Sequence, residues 1–362
     1  MAKKTLSFTW LIITVFLLTV LSLVAMFYVA TDIFQKNKVA AENIQEESSF
    51  PARSIIEATL PVNEIWRISN INLPHLDIPA AMLASDDYVF FVSYDDGGKD
   101  SLNAIDSESG EILWTVNIPL IDSMIINESR IFIAVFWDIR SYNLSDGKLL
   151  WRSEQLPQHT GYRLHPIAEE KVLVYSVEDY SGKREQVLRY YNIDDGILET
   201  VRQEISLGEW LVLKFPDVEF WADRYDRFWA VSKPMNDFLW EANIDQQYNN
   251  TPTMMGSTIF LSDGAFPKLL AIDTNTGLQI WKYSEEIVSN IELSDGILYA
   301  VRLDGALTAL DPNTGQEIGS IKFSPAETKP ETKAYWIATA GEKIFVYFGD
   351  SRELIALSIS KE

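Results

Sequence analysis

The chain of 362 residues contains no cysteine and only three histidines. The first absence excludes disulfides, thiolate metal sites, a catalytic thiol and a lipid-modified N-terminal Cys. The second leaves little for metal chemistry, because His75, His159 and His165 share no ligand spacing such as His-x-His or His-Glu-x-x-His. All three read as surface or turn histidines. Basic residues are also scarce, 30 against 52 acids, for a formal charge of −22. Nucleic-acid binding is excluded on this ground, since counterion release needs a basic face. There is no Gly-x-Ser-x-Gly elbow, Walker loop or dinucleotide fingerprint. The acidic run Asp95-Asp96-Gly97-Gly98-Lys99-Asp100 lacks the ligand ladder and closing Glu of a Ca²⁺ loop and reads as a solvated hairpin tip. No catalytic, cofactor-binding or metal-ligating residue is assigned.

Charge is also missing from one stretch. No residue from Thr5 to Thr31 is charged, and Trp10 to Ala30 is almost wholly apolar. At about 1.5 Å per helical residue this spans a hydrocarbon core of about 30 Å. Lys3 and Lys4 precede it and favour a cytoplasmic N-terminus, although Lys36 and Lys38 follow on the far side. The apolar stretch is longer than a signal-peptide core, and Tyr28-Val29-Ala30 puts Tyr in the small-residue slot of a cleavage site. The expected organisation is a cytoplasmic tail over 1–4, a transmembrane signal-anchor helix over 5–31, a polar linker over 32–62 and a propeller over 63–362. The expected address is the cell membrane, single-pass, with the large domain on the extracytoplasmic side.

What the chain does have is a repeat. Seven times, at intervals of 37 to 49 residues, a small apolar step, an Asx or Ser, a turn and a bulky residue return. Asp106, Gly110 and Trp114 form one copy; Asp273, Gly277 and Trp281 another. Asn143, Gly147 and Trp151 keep the chemistry with Asn for Asp, and Asn192 and Gly196 lead to Thr200. Ser232 leads through Asn236 to Trp240, and Asp311 with Gly315 leads to Gly319. The last copy, Ala356-Leu357-Ser358, stops four residues before the C-terminus at Glu362. Each copy reads as a hairpin: the Asx side chain closes the turn on backbone N–H groups, and Gly or Asn supplies a positive φ. The ring at the end of the second strand fills space between adjacent sheets.

The truncated last copy needs a final strand, and Glu64 to Ile68, with Trp66, is an orphan strand just before the first repeat. Pairing the two closes a ring with no open end. There is room for four short strands per repeat; in the sixth these fall at 288–292, 297–302, 306–310 and 316–321. The expected fold is therefore all-β, a seven-bladed β-propeller of four-stranded blades closed by an N-terminal strand and preceded by one transmembrane helix.

The motif Ala-x-Asp-x-x-Thr/Ser-Gly-x-x-x-Trp, in Ala104 to Trp114 and Ala271 to Trp281, resembles the PQQ-like (quinoprotein-like) propeller repeat over roughly residues 64 to 362. The resemblance implies either quinoprotein alcohol dehydrogenases or non-enzymatic scaffolds similar to the lipoprotein propeller of the bacterial outer-membrane assembly machinery. The dehydrogenases carry a vicinal Cys pair, impossible here, and resemble eight-bladed rings with long inserted loops. No cofactor is therefore expected. The favoured reading is a non-catalytic protein-interaction or assembly scaffold with an unidentified protein partner. The alternatives are a ligand- or carbohydrate-sensing ectodomain and a quinone-dependent oxidoreductase. Aromatics outside the repeat pattern crowd the fourth blade. Trp210, Trp221, Arg224, Arg227 and Trp229 form the candidate binding surface, because Trp and Arg are enriched at binding hot spots.

Overall fold

The computed structural model describes residues 53–359 apart from 74–80, 95–99, 119, 128, 157–161, 166–170, 181–182, 206–208, 216, 224–226, 234, 245–251, 264–267 and 325–334. Two strands open it, β1 (Ile55–Ala58) and β2 (Val62–Ser69). Blade 1 holds β3 (Met82–Ala84), β4 (Tyr88–Tyr94), β5 (Asp100–Asp106) and β6 (Ile112–Asn117). Blade 2 holds β7 (Ile121–Asn127), β8 (Arg130–Val135), β9 (Asp138–Asn143) and β10 (Leu149–Arg152). In blade 3 these are β11 (Tyr162–His165), β12 (Lys171–Tyr180), β13 (Lys183–Asn192) and β14 (Leu198–Ile205). Blade 4 consists of β15 (Glu209–Lys214), β16 (Val218–Asp223), β17 (Arg227–Ser232) and β18 (Phe238–Asn243). Blade 5 follows with β19 (Thr253–Met255), β20 (Thr258–Asp263), β21 (Lys268–Asp273) and β22 (Gln279–Glu286). Blade 6 has β23 (Glu292–Ser294), β24 (Ile297–Val301), β25 (Leu307–Leu310) and β26 (Glu317–Phe323). Blade 7 has β27 (Tyr335–Ala340), β28 (Lys343–Phe348) and β29 (Glu353–Ile359).

Every blade is an antiparallel meander, and the ring closes as the truncated repeat requires. Strand β2 pairs antiparallel with β29, placing Trp66 opposite Ala356, so the outermost strand of blade 7 comes from the N-terminal side. Blade 6 departs from four strands. Strand β1, inside the stretch read from sequence as linker, pairs antiparallel with β26 and makes a fifth.

The sixth repeat also differs at its inner strand, expected at 288–292 and found at Glu292–Ser294. Side chains replace the ladder there. Val301 N–H donates to Ser289 Oγ at 2.8 Å, and the Asn290 amide donates to Ile337 O at 2.8 Å while accepting from Ile337 N at 2.9 Å. Asn290 thus ties blade 6 to blade 7 as a strand backbone would.

The apolar core is divided by seam. Phe90, Val92, Ile131 and Ile133 fill the space between blades 1 and 2, and Phe132, Val172 and Val174 the space between 2 and 3. This is the outcome of strands whose two faces both look at a neighbouring sheet: buried side chains run consecutively, as in Ile131 to Val135. The outermost strands alternate, and they expose Ile112, Leu149, Phe238 and Ile280.

Among the described residues no helix is long and apolar enough to cross a membrane. The expected helix over 5–31 lies outside the described residues.

Candidate functional site

The repeat motif assembles at the seams. In five of them the Trp at the end of one blade lies flat on the turn Gly of the next. Trp66 covers Gly110, Trp114 covers Gly147, Trp151 covers Gly196, Trp240 covers Gly277 and Trp281 covers Gly315. A Cβ at any of these glycines would sit 2.4 to 2.8 Å from the ring. Each indole N–H then donates to a carbonyl in the turn it covers: Trp66 to Ser107 O at 2.9 Å, Trp114 to Leu144 O at 2.8 Å, Trp151 to Ile193 O at 2.9 Å, Trp240 to Thr274 O at 2.7 Å and Trp281 to Pro312 O at 2.9 Å. Ring stacking and one hydrogen bond make each a staple between sheets.

The Asx residue shapes the surface that the Trp covers. Asp106 Oδ1 accepts from Ser109 N at 2.7 Å and Glu108 N at 3.0 Å, bonds that hold its carboxyl below the usual carboxylate range. Asn143 and Asn192 accept from Ser145 N and Asp194 N, both at 2.8 Å. Asp273 and Asp311 do the same for Asn275 and Asn313. The glycines sit at φ between +65° and +73°, where only Gly is free of strain.

Two seams lack the staple, and each is filled differently. Between blades 6 and 7, Gly319 occupies the Trp position and Leu60 packs on it, its Cδ2 2.8 Å from where a Cβ would stand. Between blades 3 and 4, Thr200 is exposed at the Trp position and Asn236, at φ +60°, replaces the turn Gly. Among the described residues this seam has the smallest apolar core: Leu173, Tyr175, Leu188, Leu211 and Trp221.

Charge takes the place of the ring there. Glu219, fully buried, pairs with Lys214 and with Lys233 at 2.8 Å; Arg202 of blade 3 lies 3.9 Å away. Lys233 Nζ also donates to Asn236 Oδ1 at 2.6 Å, so it reaches from the turn into the seam. Burial opposes ionisation of Glu219, but hydrogen bonds from Lys214 and Lys233 outweigh it and lower its pKa. His165 lies close by, edge-on to Tyr175 at 6.5 Å between centroids. It is 5% exposed, which corrects its reading as a surface histidine; all four residues of β11 are buried between neighbouring sheets. Burial, then the charges of Arg163 and Lys214, push it down to about 3, and the imidazole is neutral at pH 7. His75 and His159 lie outside the described residues.

Of the candidate binding residues, Trp210, Trp221 and Trp229 pack against the core of this seam. Trp221 stands opposite Trp229 across β16 and β17. Trp221 is buried, donates to Glu219 Oε2 at 3.3 Å and meets Tyr175 edge-on at 6.4 Å. Trp229 is half-buried, with the Arg227 guanidinium 5.5 Å from its ring. Arg227 is exposed and pairs with Asp223 at 2.6 Å. Trp210 is half-buried on β15, against the cores on both sides of blade 4. Arg224 lies outside the described residues. The accessible part of the set is thus Arg227 with Trp229, and Trp221 is its buried support. Sequence gave no signal for Glu219, whose importance comes from which lysines the sheet brings to it.

A protein-family model described as outer membrane protein assembly factor BamB matches residues 137–333 and 230–361. These overlapping stretches cover more than half of the 362 residues. The chain belongs to this family of BamB-like propellers. A curated relative, outer membrane protein assembly factor BamB of Francisella tularensis subsp. tularensis, is 29% identical over 122 residues, 33% of this chain. The match spans 24% of that relative's length. Among solved structures, BamB from Moraxella catarrhalis is similar with a TM-score of 0.50 at 12% identity, over 82% of this chain and 100% of that one. Raptor of Chaetomium thermophilum gives a TM-score of 0.62 at 12% identity, over 83% of this chain and 29% of that one. At such identities the likeness is one of fold.

Proposed function

We propose that this BamB-like propeller is a non-catalytic protein-interaction or assembly scaffold, anchored through an N-terminal helix and displayed on the extracytoplasmic side of the membrane. The observation that carries the reading is the family match over residues 137–361, to a family described as an outer membrane protein assembly factor. The fold is consistent with it. Sheets stapled at five seams form a rigid body, and a rigid body presents a binding surface at low ordering cost. Its partner-facing surface is centred on Arg227 and Trp229, at the seam where the staple is replaced by a charged cluster. An aromatic ring under a guanidinium, beside the seam with the smallest apolar core among the described residues, is the kind of patch on which hot spots form. The net charge of −22 adds long-range attraction for a basic partner.

Affinity capture with the full chain from detergent-solubilised membranes tests the proposal. A scaffold recovers the same partner reproducibly, and Trp229→Ala and Arg227→Ala weaken that recovery. Binding of the purified protein to glycans in place of a protein partner supports the sensing alternative. Uptake of quinone with Ca²⁺, visible by absorbance, supports the oxidoreductase.

A further inference from the structure

The seam between blades 6 and 7 lacks its Trp, yet residues 53–60 run across it and bind both sides. On the blade 6 side, Ser54 exchanges hydrogen bonds with Ser324: its N–H donates to Ser324 Oγ at 2.9 Å, and its carbonyl accepts from Ser324 N at 2.7 Å. Ile55, Glu57 and Ala58 then stand opposite Phe323, Lys322 and Ile321, and Thr59 N–H donates to Ser320 O at 2.9 Å. Thr59 Oγ1 accepts from Ser320 N at 2.8 Å. Leu60 ends the run packed on Gly319, inside the core shared by Phe323, Ile321, Ile337 and Ile355.

On the blade 7 side stands Arg53, only 4% exposed. Its guanidinium pairs with the fully buried Asp350 and lies 4.6 Å from the centre of the Phe348 ring. Its backbone N–H donates to Glu353 Oε2 at 2.9 Å, and Glu353 also holds Arg67 of β2 at 2.8 Å. Tyr335 OH donates to the same Asp350 oxygen at 3.3 Å. A buried arginine paired with a buried aspartate is a lock, because withdrawing it strips Asp350 of this ion pair.

We propose that residues 53–60 are a detachable strap that staples blades 6 and 7. The Leu60 contact on Gly319 replaces the missing Trp, and the Arg53–Asp350 pair is the latch that keeps the strap in place. The strap is covalently continuous with the segment preceding residue 53, so closure of this one seam is coupled to that segment. Five other seams are closed by a Trp ring, and the seam between blades 3 and 4 by the Glu219 cluster. Peeling begins at Arg53, frees the edge of β26, and uncovers Gly319. This inference goes beyond the proposed scaffold role and does not depend on it.

Hydrogen exchange on the full chain tests it with Arg53→Ala and Leu60→Ala. Both variants are expected to raise exchange of residues 317–324 and 335–340 at least tenfold, with blades 1 to 3 unchanged. The chain has no cysteine of its own, so Glu57→Cys with Lys322→Cys, an exposed cross-strand pair, supplies a single reversible cross-link. Oxidising it in the Arg53→Ala background restores protection of both segments, and reduction removes it again. Unchanged exchange in both variants, a rise spread evenly around the ring, or a cross-link without effect on 335–340 overturns the strap.

Discussion

The indole of Trp240 lies on Gly277 so closely that a methyl group at residue 277 would stand 2.6 Å from the ring. The glycine therefore answers two demands at once, a backbone at φ +73° and a flat floor for the neighbouring blade's tryptophan. Trp240→Ala removes the stacked ring and its hydrogen bond to Thr274 O and is expected to cost about 3–5 kcal/mol. Gly277→Ala adds about 1–2 kcal/mol of left-handed strain to a clash that displaces the ring. Chemical denaturation of each variant and of the double variant measures the coupling. The effects are expected to fall well short of additive, because both changes break the same contact.

Glu219 serves the unstapled seam. Glu219→Gln leaves Lys214 and Lys233 without their shared carboxylate and is expected to destabilise by about 3–5 kcal/mol. Lys233→Met is expected to cost less, since Lys214 remains to pair with Glu219. Equal losses in the two variants, measured by denaturation midpoint, contradict the shared-carboxylate arrangement.

Buried His165 and half-buried Glu292 set opposite pH dependences. His165 titrates at about 3 in the folded chain against an ordinary 6.5, so the unfolded chain binds more protons between these values. Its contribution is present above pH 6.5 and is lost as pH falls towards 3. Glu292 on β23 accepts from Asn290 Nδ2 at 2.9 Å and from Thr339 Oγ1 at 3.5 Å. Burial nevertheless pushes it up to about 8 from 4.5. The folded chain then holds the extra proton, and stability falls as pH rises from 4.5 through 8. Melting curves across pH are expected to flatten on the acid side in His165→Phe and between pH 4.5 and 8 in Glu292→Gln.

Much of the ring was legible because the repeat states it. The Asx, the turn Gly and the Trp recur at fixed offsets, and the missing last strand pointed to Trp66 as its replacement. The partner of each Trp was not legible. That the ring of one repeat rests on the Gly of the next, 30 to 42 residues further on to the carbonyl it bonds, is a tertiary fact. The lapses were visible at Thr200 and Gly319, but what fills them was not. Leu60 and Arg53 sit in a stretch whose polar composition reads as linker, and their burial depends on Gly319 and Asp350, about 260 and 300 residues away in sequence. Trp221 stood out as an unpatterned aromatic, yet composition alone does not separate a seam ring from a surface one.

Capture of a partner by the full chain from detergent-solubilised membranes tests the scaffold reading most directly. The wild type is expected to recover one partner in repeated captures. Trp229→Ala and Arg227→Ala should lose most of it while keeping the wild-type melting midpoint. Failure of the folded wild type to recover any reproducible partner, or full recovery by both variants, contradicts a scaffold that binds through Arg227 and Trp229.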